Sequence, residues 1–566
     1  MMFIPLFITC FVACLLCIDT TGRFTFHCLT SPLLTAFFIS WPTKILPHWI
    51  KINVQFLVGE VFILFCLVDC YCQEILFTPI TPQIISNVFL SNSREISEFC
   101  SSYIGFHVLL HWRILILLLL AISLLPILLF FNAPIHLNPT FKRVVITLLA
   151  TCFFYEIPST YKYSSLFCEG QNLQNIEGLI FRHYHEEMPT PIHRIAFAWY
   201  SLKQSSQTLC FIKHTTFSAQ IDSCSYLSPH IVFIIGESYN KHHSTLYGYS
   251  KLTTPQQQKR HDEGALYFFS DVVSPWNITS NVFLNIFSTW EYGMEQNIEY
   301  FPMFPILFKR AGYSVNFFSN QYLLSGLRRR ATNQAGHFFL ADAEMSDSLF
   351  TYRNRKSSKF DMGLVEQVVE YKSGEAWADY TLDIIHLIGQ HFEYSLRYPP
   401  SYTKFTAKDY ANRSLNDEAK EILRHYDNAI FYNDIVLDSL LRVYEKEEAI
   451  VVFVADHGEE VYDDMLVHGR LFQEPTASQA KQEFEVPMWI WCSESYRANH
   501  PDVVLSLEQA LTKPFMTDGL PQILFSLAGI SCQWCNEERN ILSSKYQRKQ
   551  RIIGGCSDYD VLIKEK

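Results

Sequence analysis

At 566 residues the chain exceeds what one hydrophobic core ordinarily organises, so two domains are expected. Its formal net charge of -11 lacks the basic face that nucleic-acid binding requires, although a local basic patch could still meet anionic lipid. The balance is uneven: the first ~160 residues are apolar and aromatic and the rest has ordinary soluble character, which predicts a membrane part followed by a globular part.

Residues 3–18 are uncharged and a little short for a membrane span; a signal peptide is the competing reading, but the basic start is missing and apolar segments continue. Further spans are predicted at about 24–42, 52–72, 110–132 and 144–160. With an inward amino terminus, five spans put Lys44, Lys51, Lys142 and Arg143 in cytoplasmic loops and leave everything after ~160 outside the cytoplasm, the periplasm in a bacterium. Glu60 and Asp69 fall in or at the edge of the third span, where ionisable groups are costly. A lipid headgroup cavity or, for Asp69, snorkelling at a helix end would explain them. Residues 161–228 read as a connector near the membrane surface, helix-like at 173–187 and 192–206.

From residue 229 to 566 short apolar runs alternate with helical stretches, the signature of an α/β domain. Strands are predicted near 230–235, 313–318, 383–388, 449–454 and 486–491, with a long helix over roughly 413–445. Of sixteen cysteines, nine (Cys10 through Cys152) sit in or beside apolar segments, where cysteine is ordinary packing. The seven others cannot all pair with one another, and Cys532-Gln-Trp-Cys535 lacks the second pair that a zinc ribbon needs. That leaves a local disulfide or free thiols.

Two of the strands end alike. His230-Ile-Val-Phe-Ile-Ile-Gly236 runs into Glu237, and Ile450-Val-Val-Phe-Val-Ala runs into Asp456-His457-Gly-Glu459. The carboxyl ends of such strands are where α/β sheets build sites, and Glu237, Asp456 and His457 form a mixed oxygen and nitrogen set that suits zinc or another divalent ion. Taken alone, Asp456-His457 is more often a hydrogen-bonded structural pair. Thr279 lies where a helix should begin; from position alone a helix cap is its commoner role, although the backbone amides there also favour an anion.

The ordered set Gly236-Glu237-Ser238, Leu246-Tyr-Gly-Tyr249, Thr253-Thr-Pro255, Asp271-Val-Val-Ser-Pro, Ala311-Gly-Tyr313, Ser319-Asn-Gln321, His425-Tyr-Asp-Asn428, Ala455-Asp-His-Gly-Glu459, Val467-His-Gly469 and Glu485-Val-Pro487 resembles the sulfatase-like phosphoethanolamine transferases of lipid A and lipopolysaccharide core. The resemblance covers residues 230–530 and, with five spans, the membrane part. It implies an N-terminal multi-span helical domain (1–160) and a C-terminal alkaline-phosphatase/sulfatase-like α/β domain. It also implies metal ligands at Glu237, Thr279, Asp456 and His457, with Thr279 as the nucleophile. One Zn2+ is expected and a second is possible.

His391 and His468 match positions that hold the phosphoethanolamine group or assist proton transfer; without the resemblance each would be a partly buried structural histidine, and His386 stays in that class. Two features depart from the family. Ser274-Pro-Trp and Asn285 stand where many lipid A members carry a cysteine pair, and Gln390 and Phe392 replace smaller residues beside His391, which leaves the acceptor open. The implied activity is transfer of phosphoethanolamine from phosphatidylethanolamine to lipid A or lipopolysaccharide core, at the periplasmic face of the inner membrane. Such capping would lower surface negative charge and weaken cationic peptide binding. A phosphoglycerol transferase shares the metal-and-threonine logic. A sulfatase would need a Cys-x-Pro-x-Arg type motif, which Thr279-Ser-Asn-Val-Phe does not fit, and a non-enzymatic membrane protein would be indifferent to loss of Thr279.

Overall fold

A computed structural model describes residues 3–18, 25–76, 110–131, 138–165, 189–321, 339–374, 377–471 and 475–565, with scattered positions between them. The chain divides into two compact units, Met1–Gln204 with Leu471–Gln473 and Ser205–Arg470 with Glu474–Lys566.

The first unit is helical: α1 (Ile4–Leu16), α2 (His27–Ser40), α3 (His48–Ile75), α4 (Trp112–Phe130), α5 (Pro139–Ser165) and the start of α6 (Pro191–Ser218). Segments Trp49–Ile75, Trp112–Phe130 and Pro139–Ser165 are long and apolar enough to cross a membrane by length and composition. The two remaining expected spans are the short helices α1 and α2, of 13 and 14 residues. At 1.5 Å per residue each covers only about 20 Å of a ~30 Å hydrocarbon layer. The helix expected at 192–206 is α6, longer than expected; the stretch at 173–187 lies outside the described residues.

Asp69 neither snorkels nor lines a headgroup cavity. It is fully buried and paired with Arg194, whose Nε donates to Oδ1 at 2.8 Å, while Gln73 Nε2 and the backbone N–H of Ile80 donate to the same carboxylate at 2.7 and 3.1 Å. Its charge is thus met inside the protein, the arrangement that makes a buried carboxylate tolerable.

The second unit is built on a seven-stranded sheet. In chain order its strands are β1 (His230–Gly236), β2 (Leu266–Phe269), β3 (Ser314–Ser319), β4 (Tyr352–Arg353), β5 (Thr381–His386), β6 (Ala449–Ala455) and β7 (Met488–Cys492), arranged β2-β7-β6-β1-β5-β3-β4. From β6 to β4 every pairing is parallel, whereas β7 and β2 are antiparallel additions at one edge. Every residue of β1 and of β6 is buried, which explains why these strands read as unbroken apolar runs instead of alternating ones. Each fully buried aliphatic side chain there contributes about 1.5–3 kcal/mol.

Parallel register pairs Gly236 with Ala455, so Glu237 and Asp456 leave the sheet side by side, and the Asp456 N–H donates to Gly236 O at 3.0 Å. The long helix α8 (Asp417–Tyr444) begins where the Asn416 side chain accepts from Ala419 N. The shorter helix α7 (Thr279–Phe287) packs its apolar face inward beneath the same end of the sheet.

Candidate active site

Glu237, Asp456 and His457 are fully buried and each offers a ligand-type atom within 4.8 Å of the others. Thr279 joins them. Its Oγ1 lies 3.3 Å from both Glu237 carboxylate oxygens and 3.3 Å from His457 Nε2. The N-cap of α7 is Ile278 and no side chain caps it, so Thr279 occupies the first helical turn with its hydroxyl turned to the cluster. This corrects the cap role that its position alone suggests. The helix amino terminus places partial positive charge beside that oxygen.

The backbone fixes these side chains closely. Ser238 adopts φ of +54°, a conformation few non-glycine residues take, and its N–H donates to Asp456 Oδ1 at 3.0 Å while its hydroxyl donates to Glu237 Oε1 at 2.9 Å. Gly458 has no substitute: a Cβ there would sit 2.2 Å from Gln482 O. Gly389, at φ of +47°, lets the turn bearing His391 lie against Glu237, where a Cβ would approach Glu237 O to 2.8 Å. The Gln390 N–H closes that turn onto Glu237 O at 3.0 Å.

A second layer holds Glu237. Gln321 Nε2 donates to Glu237 Oε2 and to Leu387 O, both at 3.0 Å, and His386 Nε2 stands 3.7 Å from Glu237 Oε2 with its Nδ1 3.2 Å from Ser319 Oγ. His386 is therefore a buried strand histidine, as expected, but one that faces the site.

His457 Nδ1 lies 2.7 Å from Gly458 O, which assigns its proton there and leaves a lone pair on Nε2. That lone pair faces Asp456 Oδ2 at 3.2 Å and Glu237 Oε1 at 3.5 Å. Asp456 Oδ2 is buried and, among the described residues, no donor lies within hydrogen-bond geometry of it. Two carboxylates and a neutral imidazole nitrogen, gathered within 4.8 Å of one another beside the Thr279 oxygen, are a donor set that fits a divalent metal.

Electrostatics agree. Burial, reinforced by the neighbouring Glu237 charge, holds the Asp456 carboxyl well above the usual range. For Glu237 burial opposes ionisation, but its histidine neighbours, His386 first, outweigh it and hold the carboxyl well below the usual range. His457 is pushed down by burial and by Arg470, which keeps the imidazole neutral, the form that binds metals.

The two outer histidines sit differently. His391 is partly exposed, lies within electrostatic reach of Glu237, Arg470 and His457, and is pushed down to about 3, chiefly by burial. His468 sits on a two-stranded hairpin, Glu460–Val461 with His468–Gly469, and its Nδ1 is 2.9 Å from the Tyr462 hydroxyl. Among the described residues neither hydrogen-bonds Thr279.

Three neighbours were not singled out by sequence. Gln321 lies in a quoted motif but carries no local mark of its role. Glu459, raised to about 7 by burial, accepts from the Tyr394 hydroxyl at 2.8 Å. Arg470 Nη1 donates to His457 Nε2 at 2.8 Å and to Asn277 O at 3.2 Å. Its only sequence signal is a cation directly after His468-Gly469.

Comparison with known proteins fits this picture. A profile of the sulfatase family matches residues 229–528. The chain is 27% identical over 347 residues to phosphoethanolamine transferase EptC of Escherichia coli K12, covering 59% of this chain and 57% of that protein. It is 24% identical over 319 residues to the Kdo(2)-lipid A phosphoethanolamine 7''-transferase of Salmonella typhimurium, covering 55% and 53%. The chain thus spans little more than half the length of the curated relatives it matches.

Among solved structures, the C-terminal periplasmic domain of Escherichia coli EptC in complex with Zn superposes with a TM-score of 0.52 at 25% identity, over 61% of this chain and 96% of that one. The integral membrane transferase EptA of Neisseria meningitidis shares the fold at a TM-score of 0.61 and 17% identity, over 95% and 97%. By the domain it carries and the site at the ends of β1 and β6, this chain belongs to the sulfatase family, and the relatives it resembles within that family are phosphoethanolamine transferases.

Proposed function

We propose that this protein is a membrane-anchored, zinc-dependent enzyme that transfers phosphoethanolamine from phosphatidylethanolamine to lipid A or lipopolysaccharide core, with its α/β domain in the periplasm and its helices in the inner membrane. The observation that carries the reading is the Thr279 hydroxyl, at a helix amino terminus and 3.3 Å from Glu237 and His457, inside a donor set that fits a divalent ion. The names of the curated relatives supply the transferred group. The zinc in the solved EptC domain supports the choice of metal.

Glu237, Asp456, His457 and the Thr279 oxygen would hold zinc, which would supply Lewis acidity to lower the hydroxyl pKa. Thr279 Oγ1 forms a bond to the donor phosphorus as the phosphorus–oxygen bond to diacylglycerol breaks, and the hydroxyl proton ends on the departing diacylglycerol oxygen. A phosphoethanolamine ester of Thr279 results. A protonated oxygen of the acceptor then attacks that phosphorus as the bond from Thr279 Oγ1 to phosphorus breaks, and the acceptor's proton passes to Thr279. His391, neutral by burial, can donate a hydrogen bond to a phosphoryl oxygen, and His468 would share that task or protonate a leaving oxygen.

The test is incubation with headgroup-labelled phosphatidylethanolamine followed by mass spectrometry of the protein. Label is expected on Thr279 in the wild type and absent in Thr279→Ala. Undiminished label in the variant would remove Thr279 from its role, and preferential mass gain from phosphatidylglycerol offered alongside would turn the reading to phosphoglycerol transfer.

A further inference from the structure

His457 has one nitrogen to give. Its Nδ1 proton is committed to Gly458 O, so Nε2 carries the only in-plane lone pair, and Arg470 Nη1 takes it at 2.8 Å, closer than Thr279 Oγ1 at 3.3 Å. A divalent ion needs that same lone pair, and one lone pair serves one partner. Guanidinium and metal therefore compete for His457.

Arg470 is anchored independently of that contact. Its side chain is 17% exposed, Nη1 also donates to Asn277 O at 3.2 Å, and Nε lies 3.5 Å from Glu459 Oε2. Burial works against its charge, but the carboxyl groups of Glu459, Glu237, Asp456 and Glu483 around it outweigh that and stabilise the cation in place. A guanidinium that yields His457 to a metal keeps its hold on Glu459 and Asn277 and frees the Nη1 N–H that had met His457 Nε2, the nitrogen that also lies 3.3 Å from Thr279 Oγ1. A largely buried cationic donor of this kind is best met by an anionic partner. The non-bridging oxygens of a phosphodiester match the planar fork of Arg.

We propose that Arg470 has two alternative partners: it holds His457 Nε2 until metal takes that nitrogen, and it then binds the phosphoryl oxygens of the lipid donor next to Thr279. This deepens the transferase reading and rests on it for the identity of the phosphodiester.

The two roles have opposite signs on removal, which a merely structural arginine would not show. Full-length protein in detergent is compared as wild type, Arg470→Gln and Arg470→Lys. Zinc affinity is measured by competition with a chromogenic chelator. Phosphoryl binding is measured as inorganic phosphate inhibition of Thr279 labelling and as the phosphatidylethanolamine concentration for half-maximal labelling.

In Arg470→Gln, zinc is expected to bind at least about ten-fold tighter, while phosphate and lipid bind at least about ten-fold more weakly. Arg470→Lys, with charge but no fork, is expected to bind zinc about as the wild type does and to recover phosphate binding only in part. Unchanged zinc affinity in Arg470→Gln overturns the proposal, as does a joint loss of zinc and phosphate binding in an Arg470→Lys protein that melts like the wild type. If wild-type protein is never labelled by phosphatidylethanolamine, the transferase reading fails. Arg470 is then judged by zinc affinity and by direct titration of the zinc-loaded protein with phosphate, on which the same opposite signs are expected.

Discussion

Gln321 shows how much of a site rests on residues that do no chemistry. Its amide bridges Glu237 Oε2 and Leu387 O, both at 3.0 Å, and so fixes the rotamer of a carboxylate that must point at the metal position. Outer-shell partners of this kind tune ligand orientation, and their loss ordinarily costs 10–100-fold in metal affinity. Gln321→Ala should therefore weaken zinc binding by about 10–100-fold in a chelator competition while the protein still folds; unchanged affinity would mean that Ser238 and His386 orient Glu237 unaided. Glu237, Asp456 and His457 were legible in the sequence because an apolar run that stops at an acid marks a buried strand end. Thr279 was legible as a helix start, but its approach to Glu237, 42 residues away, was not, and the resemblance, not the spacing, marked it as the proposed nucleophile. Gln321 and Arg470 leave no such mark. Their part in the site comes from loops that only the folded sheet brings together.

At the level of elements, the loop carrying His468 and Arg470 is tied to the rest of the domain through His243. This fully buried imidazole lies between Asp427 of α8, 2.6 Å from Nδ1, and Asp463 in the loop that joins the two hairpin strands, 2.8 Å from Nε2. Asp427 also accepts from the hydroxyls of Tyr249 and Tyr410, and Asp463 from Arg413. Burial works against charging His243, but the two carboxylates outweigh it and raise it to about 10 from an ordinary 6.5. A raised histidine contributes stability that is complete below its unfolded value and is lost as pH climbs through the folded one. The wild type should therefore lose thermal stability between about pH 6.5 and 10, and His243→Asn should be less stable below that window, by on the order of 1–3 kcal/mol, because Asp427 and Asp463 then face each other without the cation between them, although Tyr249, Tyr410 and Arg413 still bond them. A variant whose melting temperature matches the wild type at pH 6 would show that the pair is not a strut. The five long strands could be read from the sequence to within a few residues. The edge strands Leu266–Phe269 and Tyr352–Arg353 could not, because four and two residues carry too little periodicity. Among the described residues, three of the five expected spans are helices long and apolar enough to cross a membrane, while α1 and α2 are apolar and shorter.

For the whole molecule, the two units pose the question of what the helices add to the chemistry. Each unit has its own buried core: cysteines and aliphatic side chains from α1, α3 and α4 in the first, and the all-buried strands β1 and β6 in the second. The donor set Glu237, Thr279, Asp456 and His457 lies wholly in the second. Metal binding and formation of the Thr279 ester should thus survive in a fragment of residues 205–566 given a short-chain, water-soluble phosphatidylethanolamine. Against the same headgroup in liposomes the fragment must find its substrate by collision, whereas an anchored site meets both lipids in two dimensions. Confinement of that kind is worth orders of magnitude in effective concentration. The labelling rate of the fragment on liposomes should fall at least about 100-fold below that of the full chain reconstituted in the same lipid, while the two differ by no more than about three-fold on the soluble donor. Equal rates on liposomes would mean that the helices contribute no proximity. A fragment inert towards both donors would instead mean that residues of the first unit belong to the donor site.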